Sequence, residues 1–206
     1  KADSGTTSPA YSKTAVPVAG DTSPPDSAAA CPLSASRGVW AVSMTSLRPA
    51  QLMSATRGGV AAGSTVLVSG AGPIGALTVL AAKAAGGSVI IVSEPNPNRR
   101  RIMQEIAPYV HVIDPSGSGI LKAVADLTEE GVGVDVALEC VGLEVSLNTC
   151  VEAVRRQGKV VQVGLHMKPA SIDAMLWALK DITVEATWCY PTQIWPRIAG
   201  MIAAGI

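Results

Sequence analysis

Phenylalanine is absent from this chain of 206 residues, and the aromatic residues together make up only 3% of it. Alanine, glycine and valine dominate instead, and a core of such small side chains suits helices packed closely on a parallel sheet. Charged residues are also scarce, at 16%, and the 16 basic residues balance the 16 acidic ones. This composition argues against a protein that binds nucleic acid or a membrane surface through charge.

Long apolar runs and paired cysteines are missing as well. No stretch could span a bilayer, and the N-terminus has no basic region followed by an apolar one, so we predict neither a membrane anchor nor a signal peptide. Cys31, Cys140, Cys150 and Cys189 are widely scattered, which favours a reduced, cytoplasmic protein. The chain begins with Lys1 instead of methionine, and we expect it to be a fragment.

A strand, a glycine turn, a helix and a second strand are predicted in succession between Thr65 and Glu94. Apolar β-branched residues fill positions 65–68 and 89–92, and the turn reads GAGPIG from Gly70 to Gly75. This unit, closed by a carboxylate, is typical of dinucleotide-binding proteins. A P-loop is excluded because Gly75 is followed by alanine and leucine, where that motif needs Lys and Ser or Thr.

Each residue of the turn has a predicted task. Gly70 permits the tight turn, Gly72 lets a pyrophosphate approach the backbone, and Gly75 lets the helix lie close to the sheet. The amino end of the helix would point its N–H groups at the phosphates. Glu94 stands about twenty residues further on, where a carboxylate accepts hydrogen bonds from the adenosine ribose and so favours NAD over NADP.

Strands and helices alternate six times from Thr65 onward. We therefore predict an α/β fold, a doubly wound six-stranded parallel sheet of the Rossmann type in the order 3-2-1-4-5-6. We expect Asn98 to cap the helix that ends near residue 106, and a later helix to cover residues 145–156. Ligands of such folds bind at the carboxyl ends of the strands, where this chain has Asp114, Val141, Gly142, Val163, Gly164 and Leu165.

Two domains are predicted. Residues 59–206 form the NAD-binding Rossmann domain. Residues 1–58 are rich in Ser, Thr, Pro and Ala without a lasting period, and we expect either a disordered leader or the remnant of an N-terminal catalytic domain.

Five segments, in this order and spacing, resemble a known family. VAAGSTVLVSGAGPIG, SEPNPNRR, GVDVALECVG, GKVVQVGL and TWCYP look like the cofactor domain of the zinc-dependent medium-chain alcohol dehydrogenases. The resemblance covers residues 59–206 and is closest to the polyol branch, which includes 2,3-butanediol and sorbitol dehydrogenases. It implies hydride transfer between a secondary alcohol or diol and NAD.

The resemblance also implies roles for single residues. Ile74, next to Pro73 in the glycine turn, would pack by the pyrophosphate, and Glu94 and Arg99 would hold the adenosine ribose. Residues 163–165 would contact the nicotinamide carboxamide through their backbone. The implied cofactor-binding residues are Gly70, Gly72, Pro73, Ile74, Gly75, Glu94, Arg99, Val141, Val163, Gly164 and Leu165. In relatives the strand matching Ile182 to Trp188 joins two subunits, so a homo-oligomer is implied.

This chain departs from the family at the catalytic zinc. The cysteine-containing and GHE segments that hold the metal in relatives are not found, and the C-terminus stops earlier than theirs. The only histidines are His111 and His166, and His111 is expected to be structural, as Cys140 and Cys150 are expected to pack in the core. We therefore expect a cofactor half that is inactive alone. The alternatives are a non-catalytic dinucleotide-binding or oligomerisation module and, less favoured, a zinc-free quinone-reductase relative.

Overall fold

The computed structural model of the chain describes residues 49–116, 119–188 and 192–204. Within these ranges the strands are β1 (Thr65–Ser69), β2 (Val89–Ser93), β3 (His111–Ile113), β4 (Val134–Glu139), β5 (Val154–Gln162) and β6 (Thr183–Ala186). The helices are α1 (Pro49–Gly58), α2 (Pro73–Ala84), α3 (Pro97–Ile106), α4 (Gly119–Leu127), α5 (Glu144–Ala153), α6 (Ala174–Lys180) and α7 (Trp195–Ala203). Short 3-10 turns cover Glu129–Gly131 and Thr192–Ile194.

The six strands form one parallel sheet in the order β3-β2-β1-β4-β5-β6. Every neighbouring pair is parallel, from Ile91 beside His111 at one edge to Val160 beside Val184 at the other. The predicted fold class and strand order are therefore confirmed. The order reverses between β1 and β4, which places a crevice at the carboxyl ends of these two strands.

Successive side chains of a strand point to opposite faces of the sheet. The strands are apolar on both faces, and helices therefore cover both. Val66 and Val68 of β1 pack in a core with side chains of α1, α2 and α3, including Met103. Leu67, between them, packs in a second core with side chains of α4 and α5, including Cys150. The chain is thus doubly wound, with mostly small aliphatic and alanine side chains between the layers.

The amino end of α3 differs from the prediction. Asn96, not Asn98, is the N-cap, and its side-chain oxygen accepts hydrogen bonds from the backbone N–H groups of Asn98 and Arg99. Pro97 then occupies the first helical position, where its missing N–H costs no hydrogen bond. The prediction placed the N-cap too late in the chain, at Asn98 instead of Asn96.

The carboxyl end of α5 also differs, because the helix stops at Ala153 and β5 begins at once with Val154. Residues 154–156, predicted as helical, belong to the strand. Val154 pairs with Val134 of β4, and the Arg155 side chain bonds the Asp135 carboxylate at 2.7 Å. These contacts across the sheet extend β5 toward its amino end.

None of the helices in the described ranges is long and apolar enough to cross a bilayer. The predictions made for residues 1–48 and for Cys189 fall outside the described residues. The division of the chain into two domains at residue 59 stays a prediction.

Candidate dinucleotide site

The glycine turn, residues 70–75, joins β1 to α2 at the carboxyl end of the sheet. Gly70 has a φ of +95°, a left-handed conformation that disfavours a residue with a Cβ. Gly75 lies so close to the turn that a Cβ on it would overlap the carbonyl oxygen of Gly70. The two glycines therefore allow α2 to start directly against the end of β1.

Gly72 is different, since a Cβ there would meet no atom of the described residues within 4 Å. It is the N-cap of α2, and among the described residues no side chain bonds the N–H groups of the first turn. The N-termini of α3 and α6, by contrast, are capped by the side chains of Asn96 and Asp173. Within the part of the chain that the structure describes, the amino end of α2 thus presents uncapped N–H groups and the positive end of its helix dipole.

Glu94 follows β2 and is buried, with only 3% of its surface exposed. One carboxylate oxygen accepts a hydrogen bond from the Ala71 N–H at 2.8 Å, and the other accepts one from the Asn96 N–H at 2.9 Å. Glu94 therefore ties the glycine turn to the loop after β2. The sequence predicted that Glu94 binds the adenosine ribose, but it did not predict this second role, in which Glu94 holds the glycine turn.

Three arginines open α3, and their surroundings differ. The Arg100 side chain donates to the carbonyls of Glu94 and Pro95 and pairs with Asp114 at 2.8 Å. Arg101 pairs with an acidic residue one turn along its own helix. Arg99 lies 3.9 Å from the Glu94 carboxylate with its side chain largely exposed, so it is the arginine that flanks the buried acid.

A cavity of about 270 Å³ opens at the switch point, beside the ends of β1 and β2. Its lining is mainly apolar, with a few hydroxyl groups, and includes Ser69, Pro95, Pro115, Val141, Leu143 and Val145. Pro95, Leu143 and Val145 were missed from the sequence. A wall of this kind is assembled from loops far apart in the chain and leaves no local signal.

Two predicted cofactor-binding segments, Val141 with Gly142 after β4 and the nicotinamide segment 163–165 after β5, are both held by one residue. The backbone carbonyl of Glu139 accepts hydrogen bonds from the N–H groups of Val163 and Gly164, each at 2.8 Å. Its carboxylate accepts hydrogen bonds from the N–H groups of Val141 and Gly142, also at 2.8 Å. Sequence reasoning missed Glu139, although an acid at the end of an otherwise apolar strand is a recognisable signal.

The two histidines lie apart from one another. His111 is exposed at the start of β3, on an edge of the sheet. His166 follows the predicted nicotinamide segment, and its Nε2 lies 3.4 Å from a carboxylate oxygen of Glu139. The structure thus brings His166 to the candidate site and leaves His111 away from it.

Cys140 and Cys150 are free thiols inside the fold. Burial raises the pKa of the Cys140 thiol to about 12, although it donates a hydrogen bond to Thr78, and burial raises the pKa of the Cys150 thiol well above its usual value. Both thiols are therefore protonated at neutral pH, whereas a metal ligand or nucleophile needs the thiolate. Among the described residues, no group of three His, Cys, Asp or Glu side chains could hold a metal ion.

Comparison with known proteins identifies relatives of this arrangement. The family described as zinc-binding dehydrogenase matches residues 73–204. L-threonine 3-dehydrogenase of Pyrococcus furiosus is 36% identical over 149 residues, which are 71% of this chain and 42% of that protein. (R,R)-butanediol dehydrogenase of Neisseria gonorrhoeae is 37% identical over 134 residues, which are 65% of this chain and 37% of that protein.

Solved structures share the fold. The 2R,3R-butanediol dehydrogenase of Bacillus subtilis superposes with a TM-score of 0.72 at 29% identity, covering 79% of this chain and 46% of that one. A zinc-binding dehydrogenase from Sinorhizobium meliloti, bound to NADP, superposes with a TM-score of 0.67 at 28% identity, covering 77% of this chain and 47% of that one. The chain thus spans less than half the length of the relatives it matches.

Proposed function

This chain belongs to the family of zinc-binding dehydrogenases, in the polyol branch of the zinc-dependent medium-chain alcohol dehydrogenases, and we propose that it is the NAD-binding half of an oxidoreductase. The proposed reaction is hydride transfer between a secondary alcohol or diol and NAD. The substrate class follows from the butanediol dehydrogenases among the relatives.

The uncapped amino end of α2 carries the proposal. Helix N-termini attract anions through free N–H groups and the helix dipole, and a pyrophosphate supplies such an anion. The open space over Gly72 would admit the phosphate oxygens, with Pro73, Ile74 and Gly75 forming the first turn behind it. A Cβ at Gly72 would stand in that space without touching any of the described residues. A glycine at this position is therefore better explained by the approach of a ligand than by packing within the fold.

Glu94 and Arg99 are the proposed ribose ligands. Each carboxylate oxygen of Glu94 already accepts one backbone hydrogen bond and retains a lone pair for a ribose hydroxyl. A 2′-phosphate would approach a buried negative charge, which favours NAD over NADP. The apolar cavity at the switch point lies next to this acid and would take the flat adenine ring.

The nicotinamide end of the site would lie over the loops after β4 and β5. Val141, Val163, Gly164 and Leu165 would contact the ring and its carboxamide. The bound cofactor supplies a ring that accepts or donates hydride. The protein's own contribution is positional, because holding the ring at a fixed place raises the chance of productive contact with an alcohol carbon.

No described residues fit a catalytic zinc ion. The proposal therefore covers cofactor binding and the placement of the hydride acceptor, and it assigns no step to a metal. A homo-oligomer formed through the edge strand β6 and a cytoplasmic location are parts of the same proposal.

Titration of the purified chain with NADH, followed by nicotinamide fluorescence, tests the cofactor site. We expect saturable binding with enhanced or blue-shifted emission, and competition by NAD. Absence of saturable binding at millimolar NADH would falsify the proposal. A Gly72→Ala variant is the matched probe, because its Cβ enters the space over α2 and meets none of the described atoms within 4 Å. It should weaken binding, and its thermal unfolding midpoint, measured alongside, separates this loss from the cost of replacing a glycine N-cap.

A second experiment tests the ribose role of Glu94. The variant Glu94→Ala should lower the ratio of NADH to NADPH affinity, because the negative charge that opposes a 2′-phosphate is gone. Since Glu94 also ties down the glycine turn, both affinities should fall to some extent, and only the change in their ratio reports on the ribose. Glu105→Ala, an exposed acid on α3, is the control. An unchanged ratio would remove the ribose role.

A further inference from the structure

Glu139 ends β4 with none of its surface exposed. A buried carboxylate is costly unless hydrogen bonds replace water, and three donors meet Oε1 at 2.8 Å. They are the N–H groups of Val141 and Gly142 and the hydroxyl of Ser146. Ser146 in turn bonds Ser69 at the end of β1, also at 2.8 Å. One carboxylate oxygen therefore fixes the loop after β4, and through the hydroxyl of Ser146 it is connected to Ser69 at the switch point.

The other oxygen of Glu139 faces the loop after β5. Its partner is Nε2 of His166 at 3.4 Å, and the imidazole is only 12% exposed. The same loop is also bonded at its start, where the Glu139 carbonyl accepts from the N–H groups of Val163 and Gly164. The backbone of residues 163–165 is thus held at one end by the main chain of Glu139 and beyond its other end by the imidazole of His166.

We infer that Glu139 and His166 are positioning residues for the nicotinamide half of the cofactor. They act through the backbone of the loops after β4 and β5, which are fixed on the two oxygens of one buried side chain. This inference rests on the proposed function, because it assumes that those loops meet the nicotinamide. Glu139 and His166 make no proposed contact with the cofactor themselves. They instead fix the position and orientation of the loop backbone that would lie beneath the nicotinamide ring.

His166 separates the two halves of the site. The adenosine half would depend on Glu94, which is linked to the glycine turn through the N–H of Ala71 and to Arg99 by an ion pair. Glu139 also fixes the loop after β4, whose Val141 lines the proposed adenine cavity, whereas His166 holds only the loop after β5. A residue with a merely structural role would alter both halves together when it is removed. A positioning residue of the nicotinamide half should alter one of them.

Binding of NADH and of ADP-ribose, which lacks the nicotinamide, tests the inference on the full chain. In His166→Ala we expect NADH affinity to fall about fivefold, as for one lost hydrogen bond, and ADP-ribose affinity to stay within about twofold. His166→Gln should restore NADH affinity, because its amide nitrogen extends to about the same distance from the backbone as Nε2. His111→Ala, on the edge strand β3, is the control and should change neither affinity.

The fluorescence spectrum of saturated NADH gives a second readout, since it reports the surroundings of the ring. We expect it to change in His166→Ala and to return toward the wild-type spectrum in His166→Gln. Equal losses of NADH and ADP-ribose affinity, no loss of either, or a failure of glutamine to restore binding would each overturn the inference. If the wild-type chain binds neither ligand, the proposed function itself fails and the inference with it. If the wild type binds both and His166→Ala changes neither, only the inference fails.

Discussion

The Asp135 carboxylate links the amino-terminal ends of β1, β4 and β5. This end of the sheet is opposite to the carboxyl-terminal end, where the candidate site lies. Its carboxylate accepts hydrogen bonds from the N–H of Thr65 at 2.8 Å and from the Thr65 hydroxyl at 2.9 Å. Arg155 of β5 donates a third at 2.7 Å. Burial alone would raise the pKa of the Asp135 carboxyl, but these bonds outweigh it and hold the pKa below its usual value.

Replacing Asp135 by asparagine should therefore destabilise the fold. The amide can accept from Thr65 or face Arg155, but its NH₂ group cannot accept, so we expect a loss of about 1–2 kcal/mol in the free energy of unfolding. Urea denaturation at pH 7 measures it. The control is Asp126→Asn, which removes an exposed helix pair with Lys122 and should cost less than about 0.5 kcal/mol. Equal costs in both variants would contradict the role of Asp135.

The same carboxylate predicts a dependence on pH with a definite sign. Because the pKa of Asp135 is lower in the folded than in the unfolded chain, its charge stabilises the fold above the unfolded value of about 4. That contribution disappears as the pH falls through the folded value. The stability gap between the wild type and Asp135→Asn should thus be constant from about pH 7 to 5 and should narrow below about pH 4. A gap that widens in acid would contradict this assignment.

The sequence predicts the position of some site residues but not the contacts of others. The position of Glu94 beside the glycine turn was predictable because the spacing from that turn to the end of the next strand is fixed by the βαβ unit. The pairing of Glu139 with His166 was not, because the two residues lie 27 positions apart and meet only when β4 and β5 become neighbours. Spacing along the chain shows local geometry, whereas contacts between loops depend on the order of the strands.

At the scale of elements, α5 ends in an unusual way, since β5 follows it without a loop. Lys180 at the end of α6 covers this junction. Its ammonium group donates to the carbonyls of Val151, Glu152 and Val154 at 3.1, 2.6 and 2.8 Å. The positive charge also lies at the negative end of the α5 dipole. Lys180 thus satisfies carbonyls that the abrupt end of the helix leaves without helical partners.

Replacing Lys180 by methionine tests this cap. The apolar stem is kept and the three donors are lost, so we expect destabilisation by about 1–2 kcal/mol. Thermal and urea unfolding provide the measurement. Lys122→Met, on the exposed face of α4, is the matched control and should cost less than about 0.5 kcal/mol. Equal destabilisation of the two variants would contradict this role, because it would show that water satisfies the carbonyls at the end of α5 as well as Lys180 does.

Most elements were predictable because each apolar run is bounded by glycine, proline or a polar turn. The junction of α5 and β5 was not, since residues 154–157 carry no local signal against a helix. What decides it is the pairing of Val154 with Val134 and the bond from Arg155 to Asp135. Tertiary contacts override helix propensity at this point.

For the whole molecule, the sheet order followed from the alternation of strands and helices with right-handed crossovers. What that rule does not determine is how the sheet's edges are protected. β3 is only three residues long, which limits its use as a template for another chain. β6 has a neighbour on one side only among the described strands, and it is followed by Trp188, whose surface is 73% exposed.

The edge at β6 is the proposed contact between two copies of the chain. The Thr187 N–H bonds Gln162 of β5, and because N–H groups alternate in direction along a strand, the N–H of Ala186 points outward. Ala186→Pro removes that donor while an edge strand tolerates the proline. We expect the wild type to self-associate at micromolar concentration and Ala186→Pro to be monomeric by sedimentation velocity. Ala186→Thr keeps the amide and should assemble like the wild type. An Ala186→Pro variant that still associates would place the contact elsewhere on the molecule.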